Sequence, residues 1–555
     1  MTKEFYRELE KELKGKQVSA RELAKIKNKL CKKYKVTKVP TNVEILTRVP
    51  DTKLKTKPVR SQSGVIPIAV MTAPHKCPHG KCIYCPGGVD SSFGDVPQSY
   101  TGKEPSCMRA IRNNYDPYLI VMNRLQQFVL LGHNPQKVEL IIQGGTFPST
   151  DIVYQKEVIM YCFKALNDFS DLFFDSNEMN FEKFKEFFEL PGDINDDSRA
   201  TKIHEKLLKL KKKSNLPAEQ FRNEKSKIKC VGLTIETRPD WGKTDVAYTL
   251  LDLGCTRVEL GVQSVYDSVL KTIERGHTVN DTIESIRILK DFGFKICAHV
   301  MPGLPGVSYE KDLKGLKELF NNPDFRPDML KIYPCQVSKG TKLYDSWKEG
   351  KYKPLDANTA AKMIAEFKEV IPRYCRIQRI LRDVPTKHWE DGVEFTNLRQ
   401  YIHDKYTPNC KCIRCKEPKD SVDHESIKLH VESYEASKGK EFFISLVDRE
   451  DNLIGFCRVR IPYESHGLEI TDNCVLIREL HVNGIALGIG DGSKDKDNKI
   501  QHKGYGKILL LEAEKLAKEL GKNKVVVISG IGVRDYYRKL GYVLEGKYMV
   551  KILDS

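Results

Sequence analysis

Three closely spaced cysteines form the first group of residues in this sequence that could do chemistry. Cys77, Cys82 and Cys85, the first cysteine group, follow C-x4-C-x2-C spacing on a glycine-containing loop. Thiolates on such a loop converge on one centre and can hold three irons of a cubane cluster, which leaves the fourth iron open to a substrate. The same spacing suits a structural zinc ion with His75 or His79 as fourth ligand, or buried inert thiols.

A second cysteine group, Cys410, Cys412 and Cys415, is compact enough to chelate one tetrahedral ion. Its C-x-C-x2-C spacing on a basic loop favours zinc in a structural role, because all-thiolate sites are usually closed to substrate. No fourth ligand lies nearby in the sequence. We predict Cys474 for that position, with His424 as the second choice, so that the ion ties the middle of the chain to its last domain.

A glycine-containing turn near the C-terminus follows a predicted strand over 475–482 and precedes a predicted amphipathic helix over 508–520. Glycines let backbone N–H groups close on a pyrophosphate, and the helix N-terminus adds the positive end of its dipole. A lone G-x-G is weak evidence, but here strand, turn, helix and a further strand follow one another. The residues predicted to bind pyrophosphate are Gln501, Gly504, Tyr505, Gly506 and Lys507.

Positive charge is concentrated at the N-terminus of the chain. The 555 residues contain 92 Lys and Arg against 75 Asp and Glu, a net charge of +17. Residues 1–60 contain 18 Lys and Arg against 7 Asp and Glu, so 18 − 7 = +11 lies in this segment. Clustered Lys and Arg displace counterions from a phosphate backbone, which favours nucleic-acid binding over a merely solvated lysine-rich surface.

Composition excludes several classes of protein. Hydrophobic residues make up 40% and charged residues 30%, the balance of a globular protein, so wholesale disorder is excluded. The sequence has no uncharged apolar run of about 18 residues and no signal-peptide pattern, so we expect a cytoplasmic protein without membrane contact. In a reducing compartment, the 16 cysteines suit metal ligation or burial rather than a disulfide framework.

The elements that would position these residues belong to an α/β protein with an added α+β domain. Six short, near-continuous apolar strands alternate with helices, which predicts parallel strands in a partial (β/α)6 barrel. The first cysteine group follows the first strand, at the end where barrel active sites lie. The predicted domains are a basic helical domain (1–60) with an extended linker over 36–64, the barrel (61–340) with a charged insertion at 165–228, a linker region with the second cysteine group (341–438), and the α+β domain (439–555).

The barrel region resembles the radical S-adenosylmethionine superfamily. Its cysteine loop fits except for one extra residue, since the common spacing is C-x3-C-x2-C. Gly144-Gly145-Thr146 matches a segment in which the superfamily often has Gly-Gly-Glu at the methionine amine, and with Thr146 the backbone carbonyls would make that contact. The residues that the resemblance further assigns to S-adenosylmethionine, for which ion pairs at the edge of the core are the ordinary alternative, are Glu236, Arg238 and Gln263.

The C-terminal domain resembles the GNAT acetyltransferases, which share its Q-x-x-G-x-G turn. In that family a tyrosine near the CoA sulfur can protonate the leaving thiolate, a role that the resemblance gives to Tyr537, with Tyr536 as its neighbour. Packing is the ordinary alternative for two tyrosines on a short helix. The strand that splays to admit the pantetheine arm of acetyl-CoA would contain Glu479, Leu480, His481 and Val482.

Nearly the whole chain resembles the family of the catalytic subunit of Elongator, in an archaeal-like stand-alone form. The matching phrases include CPHGKCIYCPGG, QSYTGKEPSCMRAIRNNYDPY, IIQGGTF, GLTIETRPD, CKCIRC and GIGVRDYYRKLGY. The resemblance implies an enzyme that uses a [4Fe-4S] cluster, S-adenosylmethionine, acetyl-CoA and zinc to form 5-carboxymethyluridine at the wobble uridine of tRNA. A 5′-deoxyadenosyl radical would take hydrogen from the acetyl methyl group, and the carbon radical would attack C5 of the base. Lys137 matches a lysine linked to acetyl-CoA in the family.

Two other functions fit parts of the sequence. A protein lysine acetyltransferase with a structural iron–sulfur cluster is the main alternative, because an acetyltransferase domain alone does not distinguish amine from carbon acceptors. A tRNA-binding scaffold without activity is the second, and the two complete cofactor motifs argue against it. In the favoured function, the basic N-terminus grips the tRNA while the anticodon base is turned out of the stack. A homodimer and a stand-alone chain both fit the sequence. The sequence does not identify the electron donor.

Overall fold

A computed structural model defines the fold and describes residues 3–13, 20–36, 39–49, 64–176, 178–192, 196–382, 384, 388–395, 397–418, 422–483 and 504–554. Within these residues, no helix has both the length and the apolar character needed to cross a bilayer. The helices are α1 (Lys3–Leu13), α2 (Ala20–Lys33), α3 (Asn42–Arg48), α4 (Pro105–Arg112), α5 (Pro117–Leu130), α6 (Ile152–Phe173), α7 (Phe181–Phe187), α8 (Asp197–Leu210), α9 (Leu216–Lys225), α10 (Thr244–Asp252), α11 (Asp267–Thr272), α12 (Val279–Asp291), α13 (Tyr309–Asn321), α14 (Lys342–Lys348), α15 (Ala357–Glu369), α16 (Leu398–Tyr406), α17 (Ile413–Lys416), α18 (Tyr505–Glu519) and α19 (Arg534–Arg538). The strands are β1 (Ile66–Met71), β2 (Gly88–Ser91), β3 (Gly94–Val96), β4 (Lys137–Gln143), β5 (Phe174–Asp175), β6 (Glu178–Met179), β7 (Lys229–Thr237), β8 (Arg257–Gln263), β9 (Lys295–Val300), β10 (Met329–Ile332), β11 (Arg376–Ile380), β12 (Lys428–Ala436), β13 (Gly439–Val447), β14 (Leu453–Ile461), β15 (Cys474–Val482), β16 (Lys524–Val527), β17 (Val543–Glu545) and β18 (Tyr548–Ile552).

The N-terminal helices α1, α2 and α3 enclose a small hydrophobic core of their own, in which Phe5, Leu30 and Ile45 are fully buried. Their helical character is as predicted, but the prediction of an extended linker over 36–64 is wrong at α3. A capping box starts that helix: the Thr41 hydroxyl accepts the Glu44 N–H at 3.2 Å, and the Glu44 carboxylate accepts the Thr41 N–H at 2.6 Å. Residues 50–63 of the predicted linker lie outside the described residues.

Seven parallel strands form the barrel sheet in the order β1-β4-β7-β8-β9-β10-β11. The six predicted strands are the first six of these. The seventh, β11, lies in the segment predicted as a linker region. The sequence does not predict this strand, because RIQRI contains only two apolar residues and forms no apolar run. Strands β1 and β11 are not paired in the part of the chain that the structure describes, so the barrel is open along one side.

The inner face of the barrel sheet is polar at most positions. In β8, Arg257 and Glu259 line the interior, while Val258 and Leu260 between and beyond them are buried in the surrounding core. The prediction of near-continuous apolar strands is therefore wrong in detail, since polar and apolar residues alternate with the period of a strand. An interior of this kind is not filled by branched apolar side chains as barrel interiors usually are.

Additional secondary-structure elements follow the crossover helix α6 between β4 and β7. Helix α6 continues to Phe173, so the extra elements follow it and do not start at residue 165 as predicted. They consist of the β5–β6 hairpin and helices α7, α8 and α9. Phe173 and Phe188 both pack on Phe184, with ring centroids 5.6 and 4.9 Å away, and this aromatic cluster joins the insertion to the barrel.

The C-terminal domain is a seven-stranded sheet in the order β12-β13-β14-β15-β16-β18-β17. Its pairs are antiparallel except for β15 and β16, which run parallel. The predicted strands β13 to β16 and helices α18 and α19 are present. Strand β12 precedes the predicted domain boundary at 439. The sequence does not predict this strand, because KLHVESYEA is largely exposed and polar and shows no apolar run.

Fully buried charges join the barrel to the C-terminal domain. Arg478 lies 2.5 Å from Asp328 and 3.0 Å from Glu441, and Arg460 lies 2.7 Å from Asp291 and 3.1 Å from Glu441. Burial alone would raise the pKa of Asp328, but Arg478 and Lys290 outweigh it and hold this pKa well below its usual value. Asp328 therefore stays ionised between the domains.

We expect Arg478→Ala to lower the free energy of unfolding by about 3–5 kcal/mol, because the change leaves Asp328 and Glu441 buried without their shared partner. Urea denaturation measures the loss. Arg449→Ala removes an arginine whose side chain is 73% exposed, and we expect it to change the free energy of unfolding by less than about 0.5 kcal/mol. Equal effects of the two substitutions would contradict a stabilising network at this interface.

Candidate functional site

A cavity of about 1900 Å³ runs through the interior of the barrel into the C-terminal domain. At one end its wall includes Cys77 and Thr146, which follow strands β1 and β4. At the other end it includes Tyr505 and Tyr536 of the C-terminal domain. The two motifs that the sequence places in separate domains therefore face the same space.

The first cysteine group is buried on the loop after β1. Each sulfur lies within hydrogen-bonding reach of a polar side chain. The contacts are Thr146 Oγ1 to Cys77 Sγ (3.6 Å), His79 Nε2 to Cys82 Sγ (3.2 Å), Arg275 Nη1 to Cys82 Sγ (3.6 Å) and Gln98 Nε2 to Cys85 Sγ (2.9 Å). Donors at these positions stabilise negative charge on sulfur, which thiolate ligands of a metal cluster carry.

The spacing of the sulfur atoms distinguishes the two cysteine groups. Among the described residues, the sulfurs of the second cysteine group all lie within 4.8 Å of one another, and those of the first do not form such a set. A single tetrahedral ion needs the tighter arrangement, whereas a four-iron cluster holds its thiolates on separate irons and farther apart. The first cysteine group therefore fits a [4Fe-4S] cluster, and the second fits a single ion.

Gly144 and Gly145 turn the chain at the C-terminal end of β4 and bring it against the cysteine loop. Their φ angles are +130° and +103°. A Cβ on Gly144 would lie 2.1 Å from the Thr72 hydroxyl, and a Cβ on Gly145 would lie 3.8 Å from the Cys77 sulfur. The turn therefore requires glycine, and it places Thr146 in the cavity wall.

Glu236 and Arg238, at the C-terminal end of β7, have different partners. The Glu236 carboxylate accepts hydrogen bonds from the Tyr100 hydroxyl at 3.1 Å and the Gln143 amide at 3.2 Å. Arg238 donates to both oxygens of Asp240 at 2.9 and 2.8 Å, which is an ion pair of the ordinary kind. Its buried Nη1 has no hydrogen-bond partner within the described residues. This nitrogen of the guanidinium therefore remains available to a ligand in the cavity.

The glycine turn of the C-terminal domain lies at the start of α18, as the sequence predicts. Gly504 caps the helix with a φ of +84°. A Cβ on Gly506 would lie 3.0 Å from the Tyr536 hydroxyl, so glycine keeps this part of the cavity open. Lys507 lines the same part of the cavity. Gln501 lies outside the described residues.

Strand β15 pairs with β16 only along its first half, because residues 474–477 pair with 524–527, which is the whole of β16. Beyond Ile477, β15 continues beside β14 alone, which leaves an opening between β15 and β16. Arg458 donates to the Glu479 carboxylate at 2.8 Å on this part of the strand. The residues of β15 that border the opening and line the cavity are Glu479, Leu480, His481 and Val482.

Tyr536 and Tyr537 lie on helix α19 in the cavity wall. Tyr537 is buried, and burial raises the pKa of its hydroxyl, whereas Tyr536 is 39% exposed. A phenol that stays protonated at neutral pH can act as a proton donor. Tyr537 also packs edge-on against Tyr542 at 5.7 Å, so it has a packing role as well.

Lys137 begins β4 at the end of the barrel that faces the C-terminal domain. It lines the cavity, and burial lowers its pKa. Its neighbour across the sheet is Lys229 of β7. A Cβ on Gly532 of the C-terminal domain would lie 2.6 Å from the Lys229 side chain, which shows how closely the two domains approach here.

The predictions of Cys474 and His424 as a fourth ligand of the second cysteine group are wrong. Neither belongs to the group of ligand atoms within 4.8 Å. Cys474 begins β15, where Lys524 is a charged neighbour of its thiol. The His424 Nδ1 instead lies 2.8 Å from the Tyr505 hydroxyl, so this ring supports the glycine turn.

The second cysteine group is attached to the barrel and not, as predicted, directly to the last domain. The Ile413 N–H donates to the Cys375 carbonyl at 2.9 Å, just before β11. Arg376 and Glu417 form an ion pair at the same place. Lys416, directly after Cys415, links this group to the C-terminal domain, since its ammonium lies 2.6 Å from Asp451 in the β13–β14 turn.

Several cavity residues were missed by sequence reasoning as site residues. Gln98 and Tyr100 belong to the phrase QSYTGK directly after the cysteine loop, which is a signal that could have identified them. Lys331 lies in an otherwise apolar strand and binds Glu259 and Glu236. Gln263, which the sequence does predict, ends β8 on the same cavity wall.

Four family models match the chain: the ELP3 N-terminal domain over residues 2–62, the Radical SAM superfamily over 178–318, the Radical_SAM C-terminal domain over 327–407 and the Acetyltransferase (GNAT) family over 409–542. The protein named tRNA uridine(34) acetyltransferase from Methanocaldococcus jannaschii is 44% identical, and the match covers 98% of this chain and 96% of that protein. Elongator complex protein 3 of Homo sapiens is 38% identical, with coverage of 96% and 93%. The chain belongs to the Elongator complex protein 3 family.

A solved structure of the same family supports the fold. The archaeal Methanocaldococcus infernus Elp3 with an N-terminal deletion (1–46) is 39% identical and superposes with a TM-score of 0.71. The match covers 89% of this chain and 100% of that one. The predicted combination of a radical S-adenosylmethionine barrel and a GNAT acetyltransferase domain is confirmed.

We expect anaerobic reconstitution with iron and sulfide to load a cluster on the wild-type protein, and Cys82→Ala to lose most of the bound iron. Iron content and the visible absorbance of the cluster measure this. Cys107→Ala removes another buried thiol, outside the loop, and should retain the cluster. A Cys82→Ala protein with wild-type iron content would contradict the assignment of the first cysteine group.

Proposed function

We propose that this protein forms 5-carboxymethyluridine at the wobble uridine of tRNA, with acetyl-CoA as the source of the added carbons. One observation carries the proposal: the first cysteine group and the acetyltransferase turn line the same cavity. Bond formation between the acetyl methyl carbon and C5 of uridine requires both groups in one space. The name of the Methanocaldococcus jannaschii relative supports the same substrate.

The C-terminal end of the barrel suits S-adenosylmethionine beside a cluster on the first cysteine group. The available Nη1 of Arg238 offers a positive charge to the ligand carboxylate, and the backbone carbonyls of 144–146 offer acceptors to its amine. Glu236 and Gln263 line the wall where the ribose would lie. Bound there, the cluster and S-adenosylmethionine supply hydrogen-atom abstraction from an unactivated C–H bond.

The acetyltransferase domain suits acetyl-CoA. The N–H groups of 504–506 at the start of α18, with Lys507 beside them, would bind the pyrophosphate, and the opening between β15 and β16 would admit the pantetheine arm. Tyr537 holds a proton at its hydroxyl and would donate it to the CoA thiolate when the thioester is cleaved. Lys137 would contact the acetyl end from the opposite wall of the cavity.

The open side of the barrel suits a nucleotide that is turned out of the anticodon. Arg379, Arg382 and Arg399 line the cavity beside this opening. The Arg382 guanidinium lies over the Tyr100 ring at 5.3 Å and donates to the Ser99 carbonyl at 2.6 Å, so it is held in place. Arginine at a fixed position can contact a phosphate or stack on a base.

Zinc is our proposal for the second cysteine group, in a structural role. Its compact thiols match the ligand type and spacing of such sites. The ion would fasten the loop around residues 410–415 to the start of β11, which forms one border of the open side.

The proposed function is tested by incubating the anaerobically reconstituted protein with tRNA, S-adenosylmethionine, acetyl-CoA and a reductant, followed by mass analysis of the tRNA nucleosides. The proposal requires 5-carboxymethyluridine in the product. Cys82→Ala should abolish its formation. Retained acetylation of protein lysines by Cys82→Ala, with no tRNA modification by the wild-type protein, would favour the lysine acetyltransferase instead.

We expect Tyr537→Phe to lower the rate of tRNA-dependent thioester cleavage by about 100-fold, because the thiolate then leaves without a positioned proton donor. The release of free CoA measures this rate. Tyr536→Phe is the matched control and should lower it less than about tenfold. Equal losses of rate in the two variants would contradict the assignment of Tyr537 as the proton donor.

We expect removal of residues 1–60 to weaken tRNA binding by about 100-fold at low salt, because the segment carries a net charge of +11. Filter binding at several salt concentrations measures the affinity and its salt dependence, and the dependence should become shallower. Cleavage of S-adenosylmethionine without tRNA serves as the control for folding. A truncated chain that binds tRNA as tightly as the full chain would refute this role.

A further inference from the structure

The two cofactor sites lie at opposite ends of the barrel strands. The first cysteine group and Gly144–Thr146 follow the C-terminal ends of β1 and β4. The acetyltransferase domain packs at the other end, where a Cβ on Gly530 would lie 2.3 Å from the carbonyl oxygen of Val231, near the start of β7. A strand of seven residues such as β4 spans about 20 Å. Any path between the sites through the barrel therefore has roughly this length.

Ion pairs hold the tyrosine helix α19 over the N-terminal end of the barrel. Arg534 and Arg538 bind the Glu224 carboxylate at 3.0 and 2.6 Å. Lys225 binds Asp535 at 2.9 Å. Because helix α9, which carries Glu224 and Lys225, leads directly into β7, these contacts keep the acetyl site at the mouth of the barrel.

The interior of the barrel between its two ends, here called the lumen, is lined by paired charges. Arg257 binds Glu139 at 2.6 Å, and Lys331 binds Glu259 and, at 3.4 Å, Glu236. Side chains from these pairs line the cavity. Charged groups are costly to remove from water, so they are compatible with a hydrated space and not with a packed core.

A metal ion does not explain the charges of the lumen. Glu259, Cys297 and His299 have ligand atoms within 4.8 Å of one another. The Lys331 ammonium, however, already binds the Glu259 carboxylate, and Arg257 lies 3.5 Å from its other oxygen. These side chains supply the positive charge that a metal ion would bring, so we assign no ion here.

Gly232 leaves room in the lumen near the acetyltransferase end. It lies on β7 and lines the cavity. A Cβ added there would lie 3.5 Å from the Thr256 hydroxyl and 3.8 Å from Glu139 Cγ, which are ordinary contacts. Alanine therefore fits at this position, whereas a larger side chain would extend into the lumen beside the Glu139–Arg257 pair.

We propose that the lumen is the passage through which the pantetheine arm carries the acetyl group from the acetyltransferase turn to the cysteine-loop end of the barrel. This inference rests on the proposed function. The arm is a narrow chain with two amides, and the paired charges offer donors and acceptors to those amides. No bond forms or breaks in the passage: the thioester stays intact while the arm is extended, so the thioester cleavage assigned to Tyr537 concerns acetyl-CoA whose arm lies at the acetyltransferase end.

Substitutions of Gly232 by Ala, Val and Phe test the passage. Formation of 5-carboxymethyluridine should fall as side-chain volume grows, by about 100-fold or more for Gly232→Phe, because the methyl group then stops short of the reacting position. Binding of S-adenosylmethionine and of acetyl-CoA, measured separately by equilibrium dialysis, should remain. Loss of either binding in Gly232→Phe together with an unaffected Gly232→Val would indicate a local folding defect and would overturn the steric explanation.

A labelling experiment follows the arm directly and does not depend on turnover. Bromoacetyl-CoA alkylates a thiol within reach: the sulfur displaces bromide, and the CoA derivative becomes attached. Glu139→Cys places a thiol in the lumen, and Lys156→Cys places one on the exposed face of α6 as the matched control. Intact-mass analysis should show faster labelling of Glu139→Cys, and excess acetyl-CoA should block it. Labelling of Lys156→Cys alone would overturn the passage.

The outcomes separate this inference from the proposed function. If the wild-type protein forms no 5-carboxymethyluridine, the proposed function itself fails. If the wild-type and Gly232→Phe proteins form it at the same rate, the function stands and only the passage is overturned.

Discussion

The buried ion network between the barrel and the acetyltransferase domain is the constraint on which the rest of the structure depends. Asp328 accepts from Arg478 and also from the Ile296 N–H at 2.8 Å, so it ties the domain interface to the barrel strands. Buried ion pairs are often no more stabilising than apolar contacts, but they are satisfied in only a narrow range of geometries. The network therefore acts mainly by fixing the position of one active centre relative to the other. A sliding or tilting of the domains would leave charges unpaired in the interface.

That fixed geometry explains why the barrel interior differs from an ordinary barrel core. A packed interior would separate the two ends, whereas the polar inner face of β4, β7 and β8 leaves one continuous space. The polar inner face of the barrel sheet contributes little hydrophobic stabilisation. That stabilisation comes from the outer face, where Val258, Leu260 and their counterparts pack against the surrounding helices. Alternation along each strand thus separates the stabilising face from the functional face.

The sequence predicted the architecture well because its strongest signals are local. The cysteine spacings, the glycine turn before α18 and the positions of the first six barrel strands each require only a few neighbouring residues, and all appear where expected. Features that depend on contacts distant in sequence are not predicted: the sequence offers Cys474 as a fourth ligand, yet the fold places it beside Lys524. Strand β11 was missed because its arginines face the cavity and leave no apolar run. Helix α3 was not predicted for a different reason: its capping box, Thr41 to Glu44, is present in the sequence, but the nearby prolines favoured an extended linker.

The separate core of helices α1, α2 and α3 has an evolutionary consequence. Phe5, Leu30 and Ile45 complete a hydrophobic cluster that shares no member with the cluster of the barrel. A module of this kind can be gained, lost or exchanged along a lineage without redesign of the catalytic interior. Substitutions could thus accumulate in this module while the residues that line the barrel cavity stay unchanged, because no described residue of the module lines that cavity.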